Sequence, residues 1–255
     1  MDKFIINGGI PLHGEVTPGG NKNAALPLLS ACLLSEEPVT LRNVPDIKDV
    51  QIMGELIQSL GVEIKKLEAT TWQIHAKEIH PTDLDPDLCR KIRASILLAG
   101  PVVAKTGNLQ LPPPGGDVIG RRRVDTHLLA LEKLGAEVHY DRAFKFKAKG
   151  LKGADILLDE TSVTATENAI MASVLARGMS IIRNAASEPH VQDLCHLLNA
   201  MGAKISNIGS NTLNIEGVPA LHGADFEIGP DYLEVISFVG AAAVTRGEIT
   251  IKNAG

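Results

Sequence analysis

The feature that most constrains this chain is that it repeats itself. Leu60-Gly61-Val62-Glu63-Ile64, Leu134-Gly135-Ala136-Glu137-Val138 and Met201-Gly202-Ala203-Lys204-Ile205 share one grammar, at intervals of roughly 70 residues. Each follows a stretch with apolar residues at helical spacing: Val50 to Leu60, Val124 to Leu134 and Val191 to Met201. Each glycine is therefore expected to end an amphipathic helix in the left-handed conformation. A short strand and a second, alternating one follow, the latter being Thr71-Trp72-Gln73-Ile74-His75, Phe144-Lys145-Phe146-Lys147 and Thr212-Leu213-Asn214-Ile215; this is the pattern of a hairpin. Upstream of each amphipathic helix, a small-residue helix runs into a strand over 23–43, 93–111 and 167–184, and the endings Leu41-Arg42-Asn43 and Ile182-Arg183-Asn184 match closely.

This grammar predicts an α/β fold of units running strand, helix, strand, helix, strand, strand, three of which close around their own small-residue helices as one domain. A linear solenoid of similar units has the same periodicity, and three large units rather than many short ones favour closure. A fourth copy begins at Tyr232 and reaches Arg246-Gly247-Glu248-Ile249-Thr250-Ile251-Lys252-Asn253 without a second helix or hairpin before Gly255. The reading frame is accordingly expected to continue, and the apolar face of Val235 to Val244 to need a covering layer.

Composition removes several function classes. A net charge of −5 leaves no basic footprint for nucleic acid, and 3% aromatic residues supply few platforms for base stacking. Met1-Asp2-Lys3-Phe4 lacks the basic-then-apolar pattern of a signal peptide, and no apolar run approaches the roughly 18 residues of a membrane helix. The expectation is a cytoplasmic protein with no membrane partner. Cys32, Cys89 and Cys195 are odd in number and widely spaced, which suggests buried free thiols rather than a disulfide framework or a zinc site.

Three segments could carry chemistry. Gly19-Gly20-Asn21-Lys22-Asn23 puts glycines and a lysine at a helix start, where backbone N–H groups and the helix dipole can seat an anion. Arg93 stands at the corresponding start in the second unit and Thr166-Glu167-Asn168 in the third. Converging helix starts would line one mouth suited to phosphates; three solvated caps are the plainer alternative. The third segment, Leu111 to Asp125, combines three prolines, three glycines, Asp117 and the run Arg121-Arg122-Arg123. That is the composition of a lid carrying an acid and guanidinium groups, or of an exposed charged loop.

Several blocks resemble one family in order and spacing throughout residues 1–255: Lys22-Asn23-Ala24-Ala25-Leu26-Pro27, Asn43-Val44-Pro45 with Lys48-Asp49-Val50, Arg93-Ala94-Ser95, Pro114-Gly115-Gly116, Val124-Asp125-Thr126-His127, Asn184-Ala185-Ala186 with Glu188-Pro189, and Pro230-Asp231. The chain is similar to the N-terminal three-fifths of the UDP-N-acetylglucosamine 1-carboxyvinyltransferase family of enolpyruvyl transferases. The resemblance implies an inverted α/β barrel in two domains, with residues 22–229 as the first and 1–21 plus 230–255 as part of an incomplete second. It implies transfer of the enolpyruvyl group of phosphoenolpyruvate to the 3′-hydroxyl of UDP-N-acetylglucosamine, the first committed step of peptidoglycan synthesis, with no cofactor or metal. The family's C-terminal part, absent from this sequence, is the implied partner, and without it the chain is expected to be inactive.

By the same resemblance, Lys22 and Arg122 hold the charges of phosphoenolpyruvate beside Asn23, and Arg93 lies near the phosphates of both substrates. Arg122, Arg123, Val124, Asp125 and Thr126, with Ser162 and Val163, receive the uridine diphosphate. Asp117 stands where most members carry the loop cysteine that acts as acid and is alkylated by fosfomycin; an aspartate there implies a fosfomycin-insensitive variant. Other departures are Arg123 for a usual proline, Glu160 for a usual lysine, and His190 and Tyr232 where many members have a carboxylate and an arginine. Two alternatives remain. One is the related enolpyruvylshikimate-phosphate synthase, which fits poorly at Lys22 to Leu26 and around Asp117; the other is a non-catalytic sugar-nucleotide-binding paralogue.

Overall fold

The computed structural model describes residues 3–81, 84–116 and 123–254. A four-residue strand, β1 (His13–Val16), precedes the first unit. That unit comprises α1 (Lys22–Ala31), β2 (Val39–Arg42), α2 (Lys48–Ser59), β3 (Glu63–Glu68) and β4 (Thr71–His75). The second runs α3 (Pro86–Lys91), a 3₁₀ segment Arg93–Leu98, α4 (Ala99–Thr106), β5 (Asn108–Leu111), α5 (Asp125–Lys133), β6 (Glu137–Asp141) and β7 (Ala143–Lys147). The third runs β8 (Asp155–Leu157), α6 (Val163–Ser173), β9 (Met179–Arg183), α7 (Pro189–Ala200), β10 (Lys204–Ser206) and β11 (Thr212–Glu216). After it come β12 (Asp225–Glu227), α8 (Tyr232–Thr245) and β13 (Glu248–Ile251).

The helices form the inside and the sheets the outside. Almost every residue of α1 and α6 and the first five of α4 are buried, whereas β3 and β6 are largely exposed, which is the inverted arrangement. The amphipathic helices α2, α5 and α7 end on Gly61, Gly135 and Gly202, with φ of 87°, 99° and 98°, where a side chain would be strained and glycine is not. The hairpins β3/β4, β6/β7 and β10/β11 are all antiparallel.

Closure comes from an exchange of strands that local pattern cannot reveal. The parallel partner of β2 is β12, which follows the third unit, and β8 plays the same part beside β9. Both pairs are fastened alike. Arg42 donates through Nε and Nη2 to Asp225, each at 2.7 Å, and Arg183 to Asp155 at 2.8 and 3.0 Å. Asn43 and Asn184, each in the left-handed region, donate to the carbonyls of Ile228 and Leu158 at 3.0 Å. The two-pronged guanidinium–carboxylate geometry fixes orientation as well as proximity. A third instance pairs β13 with β1 in parallel.

Two expectations need correction. Among the described residues the second unit has no opening strand: its sheet is β5-β7-β6 alone. Thr166-Glu167-Asn168 does not begin the third small-residue helix, because Ser162 caps α6, accepting from the Ala165 N–H at 3.4 Å. The three residues lie a turn further in and are buried, so they are not solvated caps. The helix α8 differs from every other helix in having no buried residue.

At the centre, α4 and α6 cross where Gly100 meets Asn168. A β-carbon on Gly100 would lie 2.6 Å from the Asn168 carbonyl oxygen, so only glycine permits the crossing. The Asn168 amide is satisfied on both ends: its oxygen accepts from the Gly100 N–H at 2.7 Å, and its nitrogen donates to Ile96 O at 2.9 Å and to His127 Nδ1 at 2.8 Å. His127 therefore carries its proton on Nε2, which donates to the Thr164 hydroxyl at 3.1 Å. Burial, with the Arg93 charge adding to it, pushes the His127 pKa down to about 3, so the ring is neutral and acts as a rigid tie between α5 and α6. The three cysteines are free and buried.

Candidate functional site

One cavity of about 370 Å³ gathers the starts of all three central helices. Its wall includes Lys22, Asn23 and Asp49 from the first unit, Lys91, Arg93 and Gly116 from the second, and Val163, Thr164, Glu167 and His190 from the third. A larger concavity of about 680 Å³ is bordered by Gly107, Gly135, Lys147 and Arg177; it includes none of the residues to which the sequence pointed.

The α1 wall is built for an anion. Asn21 caps the helix, its side-chain oxygen accepting from the Ala24 N–H at 3.0 Å, which leaves the first-turn N–H groups of Lys22 and Asn23 ahead of any intrahelical acceptor. Pro27 sits four residues after Asn23 within the helix and has no N–H to give, so the Asn23 carbonyl also lacks its helical partner. The Lys22 ammonium is held by Asp49 at 3.2 Å with its side chain 37% exposed, an ion pair weak enough in water to yield to a better anion.

In the second unit, Arg93 anchors both flanks of the glycine- and arginine-rich loop. Gly115 and Gly116 donate backbone hydrogen bonds to the carbonyls of Cys89 and Arg90, each at 3.1 Å. A β-carbon on Gly115 would lie 1.8 Å from the Arg90 oxygen, so the approach requires glycine. Gly116 packs on the Arg93 backbone, and at the far flank the Arg93 guanidinium donates to the Arg123 carbonyl at 2.7 Å. Asp117 and Arg122, the acid and the substrate cation expected from sequence, lie outside the described residues, between these two flanks.

Arg123, Asp125 and Thr126 form a separate cluster with Asp159, beside the cavity and not in its lining. Arg123 donates to Asp125 and to Asp159 at 2.9 Å each, and the Thr126 hydroxyl donates to Asp159 at 2.6 Å. The Thr126 bond, assisted by Arg123, holds the Asp159 carboxyl below its usual range. Val124 precedes α5 without a side-chain cap, and Ser162 caps α6. The Thr164–His127 hydrogen bond joins this cluster to the cavity wall.

Asp49 and His190 line the cavity although the sequence offers neither as a site residue, and Glu167 enters there only within the helix-start segment Thr166-Glu167-Asn168. The signal for Glu167 is that it is the one charged residue of the segment Val163–Ser173. His190 was noticed as a departure, as was Tyr232, and the structure brings the two together. The Tyr232 hydroxyl lies 3.1 Å from His190 Nδ1, and the rings are near parallel, with centroids 6.1 Å apart. The paired departures thus form one neutral contact between α7 and the start of α8. Among the described residues no group of His, Cys, Asp and Glu could hold a metal, and no helix is long and apolar enough to cross a membrane.

Comparison with known proteins adds the following. The sequence profile of EPSP synthase (3-phosphoshikimate 1-carboxyvinyltransferase) matches residues 6–255. The UDP-N-acetylglucosamine 1-carboxyvinyltransferase of Treponema denticola is 57% identical over 253 residues, which cover 99% of this chain and 59% of that protein. The protein of the same name from Bradyrhizobium diazoefficiens is 56% identical with the same coverage. Among solved structures, the enolpyruvyl transferase NikO from Streptomyces tendae superposes with a TM-score of 0.80 at 24% identity, over 92% of this chain and 56% of that one; at that identity the likeness is one of fold. The chain spans about three-fifths of the length of the curated relatives it matches.

Proposed function

Because the chain belongs to the EPSP synthase family, we propose that it supplies the phosphate-binding wall of a transferase that moves the enolpyruvyl group of phosphoenolpyruvate onto the 3′-hydroxyl of UDP-N-acetylglucosamine, a cytoplasmic step of peptidoglycan synthesis. The observation that carries this reading is the shared cavity: Lys22, Asn23 and Arg93 line it together with Gly116, the residue before Asp117. The relatives' names, at 57% and 56% identity, favour the sugar nucleotide over shikimate phosphate as acceptor. Residues 22–229 act as one domain, and 1–21 with 230–255 belong to a second, completed by a segment equivalent to the rest of the relatives' length.

The chemistry needs a cation-lined pocket and an acid. Protonation of the C3 methylene of phosphoenolpyruvate makes C2 electrophilic; the sugar hydroxyl adds there and gives up its proton, and the tetrahedral adduct then loses phosphate and a C3 proton. Lys22 leaves Asp49 to meet the phosphate or carboxylate, assisted by the α1 N-terminus. Arg93 serves the phosphates of both substrates, and Arg122 joins Lys22. Asp117 is the acid, and near neutrality it needs burial or neighbouring negative charge on ligand binding to raise its pKa from a reference near 3.9. Val124, Asp125 and Thr126 with Ser162 and Val163 receive the uridine diphosphate. Arg123, paired with two carboxylates, has no spare charge to replace the lysine that Glu160 displaces, so diphosphate affinity is expected to be reduced.

Calorimetry with UDP-N-acetylglucosamine, followed by phosphate release from the protein extended by that segment, tests the proposal. Binding with turnover supports it, whereas binding without turnover favours the non-catalytic paralogue. Loss of activity in Asp117→Asn, together with resistance of the parent protein to irreversible inactivation by fosfomycin, is the expected signature of the loop aspartate. An unchanged pH–rate profile in Asp117→Asn would remove Asp117 from the mechanism.

A further inference from the structure

Glu167 is the cavity residue whose position calls for a ligand. It is 1% exposed, it lines the cavity, and among the described residues its Oε1 has no hydrogen-bond partner. Its neighbour Asn168, equally buried, is satisfied on both ends, so this part of α6 is not loosely packed. Buried polar atoms without partners are rare because leaving one unpaired is costly. An ionised carboxylate would be costlier still, since among the described residues no salt bridge reaches it: the Lys22 ammonium is engaged by Asp49.

The groups around Glu167 reinforce the neutral form. Burial, with the Glu188 carboxyl just before α7 adding to it, raises the Glu167 pKa well above its ordinary value. Cys195 on α7 is a thiol pushed up to about 12 by burial and by Glu167. His190 on α7 is held below its ordinary value by burial, and His127 on α5 is neutral. Arg93 and Lys22 supply the positive side of the cavity.

We propose that Glu167 is a ligand-contacting residue of this cavity, keeping its carboxyl as the neutral acid and donating the O–H to an anionic oxygen, phosphate or carboxylate, of the bound substrate. The contact deepens the proposed function and rests on it only for the identity of that substrate. It gives the cavity a third kind of anion donor beside the ammonium and the guanidinium, one that fails when the acid ionises at high pH.

Infrared difference spectroscopy reads the contact directly. In wild-type protein near neutral pH a protonated-carboxyl stretch is expected that Glu167→Gln lacks, and phosphoenolpyruvate with UDP-N-acetylglucosamine should move it to lower frequency. By affinity, Glu167→Gln, which keeps an N–H donor, should bind close to wild type and lose the alkaline fall. Glu167→Met should bind about tenfold more weakly, the equivalent of one hydrogen bond. Absence of the band, a band indifferent to bound ligand, or Glu167→Met binding as wild type would each overturn the proposal. If UDP-N-acetylglucosamine fails to bind while inorganic phosphate alone moves the band, the inference stands and the functional reading falls. If the sugar nucleotide binds and turns over with the band unmoved, the reverse holds.

Discussion

The helices α1 and α6 occupy equivalent places in the first and third units, yet they bring opposite chemistry to the same cavity. At α1 the side chain is Lys22, partly exposed and paired with Asp49. At α6 it is Glu167, buried, with its Oε1 unbonded among the described residues. The repeat therefore dictates where a helix starts and which face is buried, but not what the cavity offers. Buried small and aliphatic residues over most of both helices serve the packing. The residues that break the repeat, one cation and one acid, are the ones left facing the ligand space.

The contrast makes graded predictions. The largest effect is expected on the α1 side: in the extended enzyme, Lys22→Ala should lower kcat/KM for phosphoenolpyruvate by about 10²–10³-fold, the scale of losing a charged donor from a preorganised site. Binding of UDP-N-acetylglucosamine by calorimetry should be largely spared; equal loss of both would mean that Lys22 supports the fold rather than the ligand. On the α6 side, Asn168→Ala strands the Gly100 N–H, the Ile96 carbonyl and His127 in the interior, and should cost about 2–4 kcal/mol in urea unfolding.

Glu167 and His127 should give stability opposite dependences on pH. The native state keeps the Glu167 proton to a higher pH than the unfolded chain does. Its contribution is thus complete below the ordinary carboxylate pKa and is lost as pH rises through the raised folded value. His127, held at about 3, refuses a proton that the unfolded chain accepts below about 6.5, so stability falls as pH drops through that window. Glu167→Gln should remove the alkaline decline and leave the acid limb unchanged, as read from Tm against pH. The smallest effect belongs to the contact at the start of α8: a double-mutant cycle with His190→Glu and Tyr232→Arg should show both singles destabilised and the pair restored, with coupling of about 0.5–1 kcal/mol.

Much of this was legible in the sequence because it is local. The helices ending on Gly61, Gly135 and Gly202 follow from apolar spacing and a left-handed glycine, and the hairpins from alternation. The parallel joining of β2 to β12 was not legible, since Thr40 meets Asp225 across most of the chain and no short pattern encodes that register. The site was half legible. Lys22 and Arg93 announce themselves as cations at helix starts, but the burial of Glu167 depends on where α6 begins. That was misjudged because Ser162, not Thr166, is its cap. The departures at His190 and Tyr232 read singly as damage, and only their contact makes them one exchange.

Amide hydrogen exchange with UDP-N-acetylglucosamine tests most directly whether three helix starts form one ligand cavity. The account predicts that the ligand slows exchange together at Lys22–Asn23, Arg93–Ala94 and Val163–Thr164. Protection confined to one of these segments, or appearing instead around Lys147 and Arg177, would contradict it.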